Sequence, residues 1–266
     1  MAAGYRFSPG TVPLLISVPH EGTRVPDDIA VQMTEAGRSL PDTDWYVGRL
    51  YDFANELGAA TIIADYSRYV VDLNRPADDA ALYEDQLVTG LCPTRTFAGQ
   101  DIYKGEATID TRQRVRDYWQ PYHDKIRTTL DELRGEHGYA LLWDAHSIAS
   151  RVPSLFDGEL RVLNVGTWDG RSCSPVIEDA AAEIANASPY DAVLNGRFKG
   201  GYITRHYGRP EQGIHALQLE LAQRAYMDEA AQRYSETKAS QLRDTLKEML
   251  SAILENAANN AVILSR

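Results

Sequence analysis

The chain has 266 residues, 44% of them hydrophobic and 24% charged. Those proportions are globular, and the length suffices for one large domain with a sizeable core. The formal net charge is -11, which excludes partners that demand a basic footprint, nucleic acids and anionic membranes among them. A small anionic substrate stays open, because a local arginine cluster can reverse the sign inside a cleft.

Two cysteines, Cys92 and Cys173, lie far apart and fit neither zinc-finger spacing nor a CxxC motif. The N-terminal MAAGYRFSPG lacks a basic stretch followed by an apolar one, and no apolar run approaches the length of a membrane span. A cytoplasmic protein with no membrane partner is expected.

In chain order, VPLLISVPH (12–20) reads as a buried strand leaving the core at Pro-His. DTDWYVGRLYDFANELG (42–58) has helical spacing, with Asp42 or Thr43 to cap it and Gly58 to end it. The β-branched runs ATIIAD (60–65) and YVVDL (69–73) read as strands, and about 76–108 as an irregular insertion. Residues 108–138 read as helix bent at Pro121, because proline removes a helical N–H. YALLWDAHS (139–147) and LRVLNVGT (160–167) read as strands. Residues 174–187 form a helix with Ser174 as cap and Pro175 at its first position. IHALQLEL (214–221) alternates and reads as a strand, and an amphipathic helix fills most of the last 35 residues. No repeat or linker divides the chain, so a single domain over 1–266 is expected. Strands alternating with helices predict an α/β sheet with helices on both faces.

In such sheets ligands bind beyond the carboxyl ends of the strands, and three predicted strands end in His20, His146 and Glu220. A catalytic zinc commonly takes three protein ligands and leaves a fourth position for water. His20 and His146 supply two. Asp44 is the preferred third; Asp42 suits a helix cap, and Glu21, next to His20, points to the opposite face if the strand continues. Asp144, two residues before His146, could accept the second ring N–H of that histidine. Glu220, at the end of an apolar strand, suits a general base beside a metal and its water. Arg68, Arg75, Arg205 and Arg209 lie at strand ends or near the Gly200-Gly201 pair, which suggests a loop that needs unusual dihedrals and could serve as a flap near the site. Their forked guanidinium groups match carboxylates. Ser147 lies beside His146, but no GxSxG elbow is present and neighbours on a strand diverge, which disfavours a serine hydrolase. His206 and His215 read as structural.

The blocks PHEGTRVP, DTDWYV, YVVDLNRP, WDAHS and GGYITRHYGRPEQGIHALQLELAQRAYM, between about 13 and 228, together resemble the N-formylglutamate deformylase (N-formylglutamate amidohydrolase) family. The DLNR segment is also similar to aspartoacylase and, more distantly, to zinc carboxypeptidases. The resemblance implies a three-layer αβα sandwich with a mixed, mostly parallel sheet of the zinc-carboxypeptidase (phosphorylase/hydrolase) type. It implies hydrolysis of N-formyl-L-glutamate to formate and L-glutamate, in histidine degradation. His20 and His146 match metal ligands, Glu220 the catalytic base, and Asn74 and Arg75 a carboxylate-binding pair. The distant relatives use His-x-x-Glu where this chain has Thr23, which turns attention to Asp44. The expectation is a divalent metal, zinc favoured, on His20, Asp44 and His146, with Arg68, Asn74, Arg75, Arg205 and Arg209 sharing the substrate carboxylates. The rival readings are a related metal-dependent deacylase of the N-acyl-aspartate type and a non-catalytic binder of anionic metabolites.

Overall fold

The computed structural model describes residues 4–80, 89–105 and 107–265. Among these, seven strands form one mixed sheet: β1 (Tyr5–Ser8), β2 (Leu14–Val18), β3 (Ala60–Ala64), β4 (Ala140–Ile148), β5 (Leu163–Gly166), β6 (Ala192–Leu194) and β7 (Ile214–Ala222). Their spatial order is β1-β3-β2-β4-β7-β5-β6. β3, β2, β4 and β7 run parallel, β1 and β5 pair antiparallel to β3 and β7, and β6 pairs parallel to β5.

β4 and β7 are buried on both faces. Trp143, Leu217 and Leu219 pack with Ile177 and Ala181 of the Pro175–Ala187 helix and with Leu242, Leu246 and Met249 of the Glu236–Asn259 helix. On the other face Leu142 and Ala216 pack with Tyr122, Ile126 and Leu130 of the Gln120–His137 helix. The result is the expected three-layer αβα arrangement. Side chains alternate across a strand, so Asp144 and His146 share the face of Leu142, and Gln218 and Glu220 that of Ala216. The polar residues follow the apolar ones along one face and emerge together at its carboxyl end.

Several expectations need correction. Residues 42–58 do not form one helix: only Val47–Leu50 is α-helical, and Asp52–Asn55 is a 3-10 turn. Tyr46 sits at φ 62, a left-handed conformation that separates Asp44 from the helix. Asp42 caps nothing; its carboxylate accepts from Tyr69 Oη at 2.6 Å and Phe97 N at 2.8 Å. Residues 69–73 are not a strand. The 76–108 insertion contains no named helix or strand among its described residues, and 81–88 and 106 lie outside them. The bend before Pro121 is a π turn, Val115–Trp119, placed where proline cannot donate the usual helical bond. The short strands β1 and β6 and the Tyr202–Tyr207 helix have no counterpart in the sequence reading.

Candidate active site

His20 follows β2 by two residues, His146 lies on β4, and Glu220 lies on β7 directly opposite His146 in the parallel register. Asp44 joins them through the backbone: its N–H donates to the His20 carbonyl at 3.1 Å, and its Oδ2 accepts from Ser147 N at 3.1 Å. His20, Asp44 and His146 are all buried, and one ligand atom from each lies within 4.8 Å of the others, close enough to hold a metal ion.

The histidines face this point in the same way. His146 Nδ1 lies 3.1 Å from Asp44 Oδ2, and His20 Nδ1 lies 3.7 Å from the same oxygen. Each Nε2 points away to a different aspartate. That of His20 donates to Asp72 Oδ1 at 2.7 Å, and that of His146 lies 3.1 Å from Asp144 Oδ2 and 3.0 Å from Asn74 Nδ2. A carboxylate behind each imidazole fixes the ring and raises its basicity. Asp144 therefore stands where the sequence suggests, while Asp72, within the YVVDL run, is a participant the sequence reading passes over.

The electrostatics describe a site that calls for positive charge. Burial alone would raise Asp44, but hydrogen bonds from His146 and His20 hold it below the ordinary carboxylate range. Burial would likewise raise Asp72, but Arg68 and His20 hold it well below that range. Burial would lower His146, yet Asp144 and Asp44 raise it well above an ordinary imidazole. A cation among these donors would meet the demand that the protons meet here. Two imidazole nitrogens and a carboxylate oxygen suit a divalent transition metal. Glu220 is 8% exposed. Burial pushes it up to about 8; His146 and Arg68 oppose the rise, and Asp44 and Asp144 add to it.

A single cleft is lined by His20, Asp44, His146 and Glu220 together with Arg68, Asn74, Arg75 and Arg197. Its apolar lining includes Phe97, Ile148, Leu155 and Phe198. Arg68 is 8% exposed, bonds Asp72 Oδ2 at 2.7 Å and lies 3.7 Å from Asp44, so it balances the charge of the cluster. Arg75 donates to the carbonyls of Thr89 and Asn74 and to Thr89 Oγ1, which fixes its head. Asn74 accepts from Ile203 N at 2.8 Å, which sets the direction of its amide.

Other expected residues lie elsewhere. Arg205 and Arg209 are not in the cleft lining: Arg205 donates to the Gly200 carbonyl and faces Trp168, and Arg209 is exposed. Glu21 accepts from Gly48 N and pairs with Arg6, and is not one of the three potential ligands that come together. Gly200 has φ 111, the unusual dihedral that the sequence suggests, and Gly201 is closely packed: a Cβ on it would come within 2.3 Å of Asn74 Nδ2. Ser147 lines the cleft, but its hydroxyl accepts from Tyr226 and Gln223. His215 is buried against the Leu264 carbonyl, and His206 stacks on Tyr202. Arg197, in the stretch NGRFKGG, carries no signal in the sequence beyond that of a loop arginine.

A family model for N-formylglutamate amidohydrolase matches residues 12–227. The chain belongs to the N-formylglutamate amidohydrolase family. It is 50% identical over 253 residues to the N-formylglutamate deformylase of Pseudomonas putida, covering 93% of this chain and 94% of that protein. It is 51% identical to the N-formylglutamate deformylase of Pseudomonas aeruginosa, covering 93% of this chain and 95% of that one. Its fold is similar to the crystal structure of an N-formylglutamate amidohydrolase from Ralstonia eutropha, with a TM-score of 0.81, 24% identity and coverage of 94% and 97% of the two chains. The convergent histidines and Asp44 thus lie within the part of the chain that the family model spans.

Proposed function

We propose that this enzyme hydrolyses N-formyl-L-glutamate to formate and L-glutamate, using a divalent metal held by His20, Asp44 and His146 and Glu220 as general base. The observation that carries the reading is the meeting of two imidazole Nδ1 atoms at one carboxylate oxygen, each ring backed by its own aspartate, beside Glu220. Identity of 50% to a deformylase over most of both chains supports the substrate. Zinc is the metal favoured by the donor set.

A divalent ion there would polarise the formyl carbonyl and acidify a water. The protein's own groups do the rest. Glu220 accepts a proton from the attacking water as the new C–O bond forms. As the C–N bond breaks, Glu220 returns that proton to the amine nitrogen, so one carboxyl serves as base and then as acid. Burial raises its value, which suits the return of the proton, and a neighbouring cation would lower it, which suits the uptake. Asp72 and Asp144 hold the two rings in place. Asn74 and Arg75, fixed by Ile203 and Thr89, receive a substrate carboxylate. The apolar wall excludes water from the reacting carbon.

Glu220→Gln tests the assignment. The variant should lose turnover by roughly 10²-fold or more while its metal content, read by elemental analysis, stays that of the parent. Near-normal turnover would remove Glu220 from the role of base.

A further inference from the structure

We infer that Gln223 and Tyr226 are positioning residues that hold Asp44 for the metal; this rests on the metal reading above and deepens it. His146 lies on β4, and His20 follows β2 by two residues. Asp44, the third potential ligand, lies with Thr43 in a stretch that belongs to no helix or strand. Regular secondary structure therefore does not fix it. Two ties at 3.1 Å act on Asp44 itself: its N–H donates to the His20 carbonyl, and Ser147 N donates to its Oδ2. The carbonyls of its two neighbours in the chain, Thr43 and Trp45, are taken up from elsewhere.

Gln223 Nε2 donates to the Thr43 carbonyl at 3.0 Å and to Ser147 Oγ at 3.3 Å. Tyr226 Oη lies 2.7 Å from the Trp45 carbonyl and 2.7 Å from the same Ser147 Oγ. The chain on either side of Asp44 is thus gripped by two side chains that meet at one serine hydroxyl. The backbone N–H of that serine bonds the Asp44 carboxylate, and the residue before it is His146. Ser147 therefore has a use beside His146 that is not nucleophilic: it joins the Asp44 stretch to β4. Gln223 opens the 3-10 turn Gln223–Ala225, which continues β7 three residues after Glu220. One anchor consequently serves the loop with the third ligand and the strand with the base. The arrangement is buried, with Tyr226 at 0%, Ser147 at 2% and Gln223 at 5% exposure. Out of water such hydrogen bonds meet little competition, and losing one partner leaves the other polar group unsatisfied. Neither Gln223 nor Tyr226 hydrogen-bonds to a potential ligand or lines the reaction cleft among the described residues. Their effect on the metal therefore passes through the placement of Asp44.

The test uses Tyr226→Phe, which removes only the hydroxyl, and Gln223→Met, which keeps the length of the side chain without its amide. Zinc affinity is read by competition with a chelator, at a temperature where melting curves show parent and variants folded with and without zinc. The inference predicts that each variant binds zinc about 10-fold more weakly than the parent. With zinc saturating, KM for N-formyl-L-glutamate should stay that of the parent, since neither residue lines the cleft. Parent-like zinc affinity in both variants overturns the inference, even if their melting temperatures fall, because the two side chains would then support only the fold. Parent-like zinc affinity with a raised KM overturns it as well, by moving their effect to the substrate. A parent that binds no zinc overturns the metal reading, and this inference with it.

Discussion

His20 and His146 each present Nδ1 to Asp44 and Nε2 to a further carboxylate, Asp72 or Asp144. Removing one charge from behind a ring while keeping its shape isolates that contribution. Asp72→Asn and Asp144→Asn should each weaken zinc affinity or activity by about 10–100-fold, measured by zinc titration of metal-stripped protein and by formate release. Parent-like values in both assays would show that these aspartates support the fold and not the site. His20, His146 and Glu220 were legible because each stands at or just past the carboxyl end of an apolar strand. Asp44 was legible as a residue type but not in its setting. The helical spacing of 42–58 is overridden at Tyr46, whose left-handed backbone accompanies a hydrogen bond from its hydroxyl to the distant Gln232 carbonyl. Asp72 was hidden by the β-branched run around it. Val70 and Val71 are buried in two separate clusters, yet the segment joins no ladder, and Asp72 N donates to the Leu91 carbonyl instead.

At the scale of elements, the helix that begins at Tyr202 matters through what precedes it. Gly201 has an ordinary backbone conformation, φ -83, so alanine is tolerated there by the main chain. The added Cβ would instead strike the Asn74 side chain. Gly201→Ala should therefore lower kcat/KM by up to about 10²-fold, the cost of an ångström-scale displacement of a positioning group. The assay is formate release, with thermal melting to show that the fold survives. Parent-like kcat/KM would mean that Asn74 can move without consequence. The Gly200-Gly201 pair was visible in the sequence as a place of unusual dihedrals, which Gly200 bears out at φ 111; that Gly201 instead needs room beside Asn74 looks the same in a sequence. The Gln120–His137 helix has a similar indirect role. His123 lies 2.9 Å from the Leu73 carbonyl through Nε2, and Trp119 Nε1, at the end of the preceding π turn, donates to the Arg75 carbonyl at 2.9 Å, so the two together grip the chain on both sides of Asn74.

For the whole molecule, the order β3-β2-β4-β7 of parallel strands places all their carboxyl ends at one edge. That single fact converts residues separated by 200 positions, His20 and Glu220, into one site. It was legible in outline because alternating strand and helix patterns imply parallel strands. The edges were less so: β6 is three residues long, and β1 carries no clean alternation. The net charge of -11 coexists with an arginine-lined cleft, as expected for an acidic protein that takes an anionic substrate. No described helix is long and apolar enough to cross a membrane. The most direct test of metal-dependent deformylation is formate release from N-formyl-L-glutamate by untreated protein, by protein stripped with a chelator, and by stripped protein given zinc. The account predicts release that stops on stripping and returns with zinc. Undiminished release from protein shown to be metal-free would contradict the metal's role, and no release under any metal would contradict the substrate.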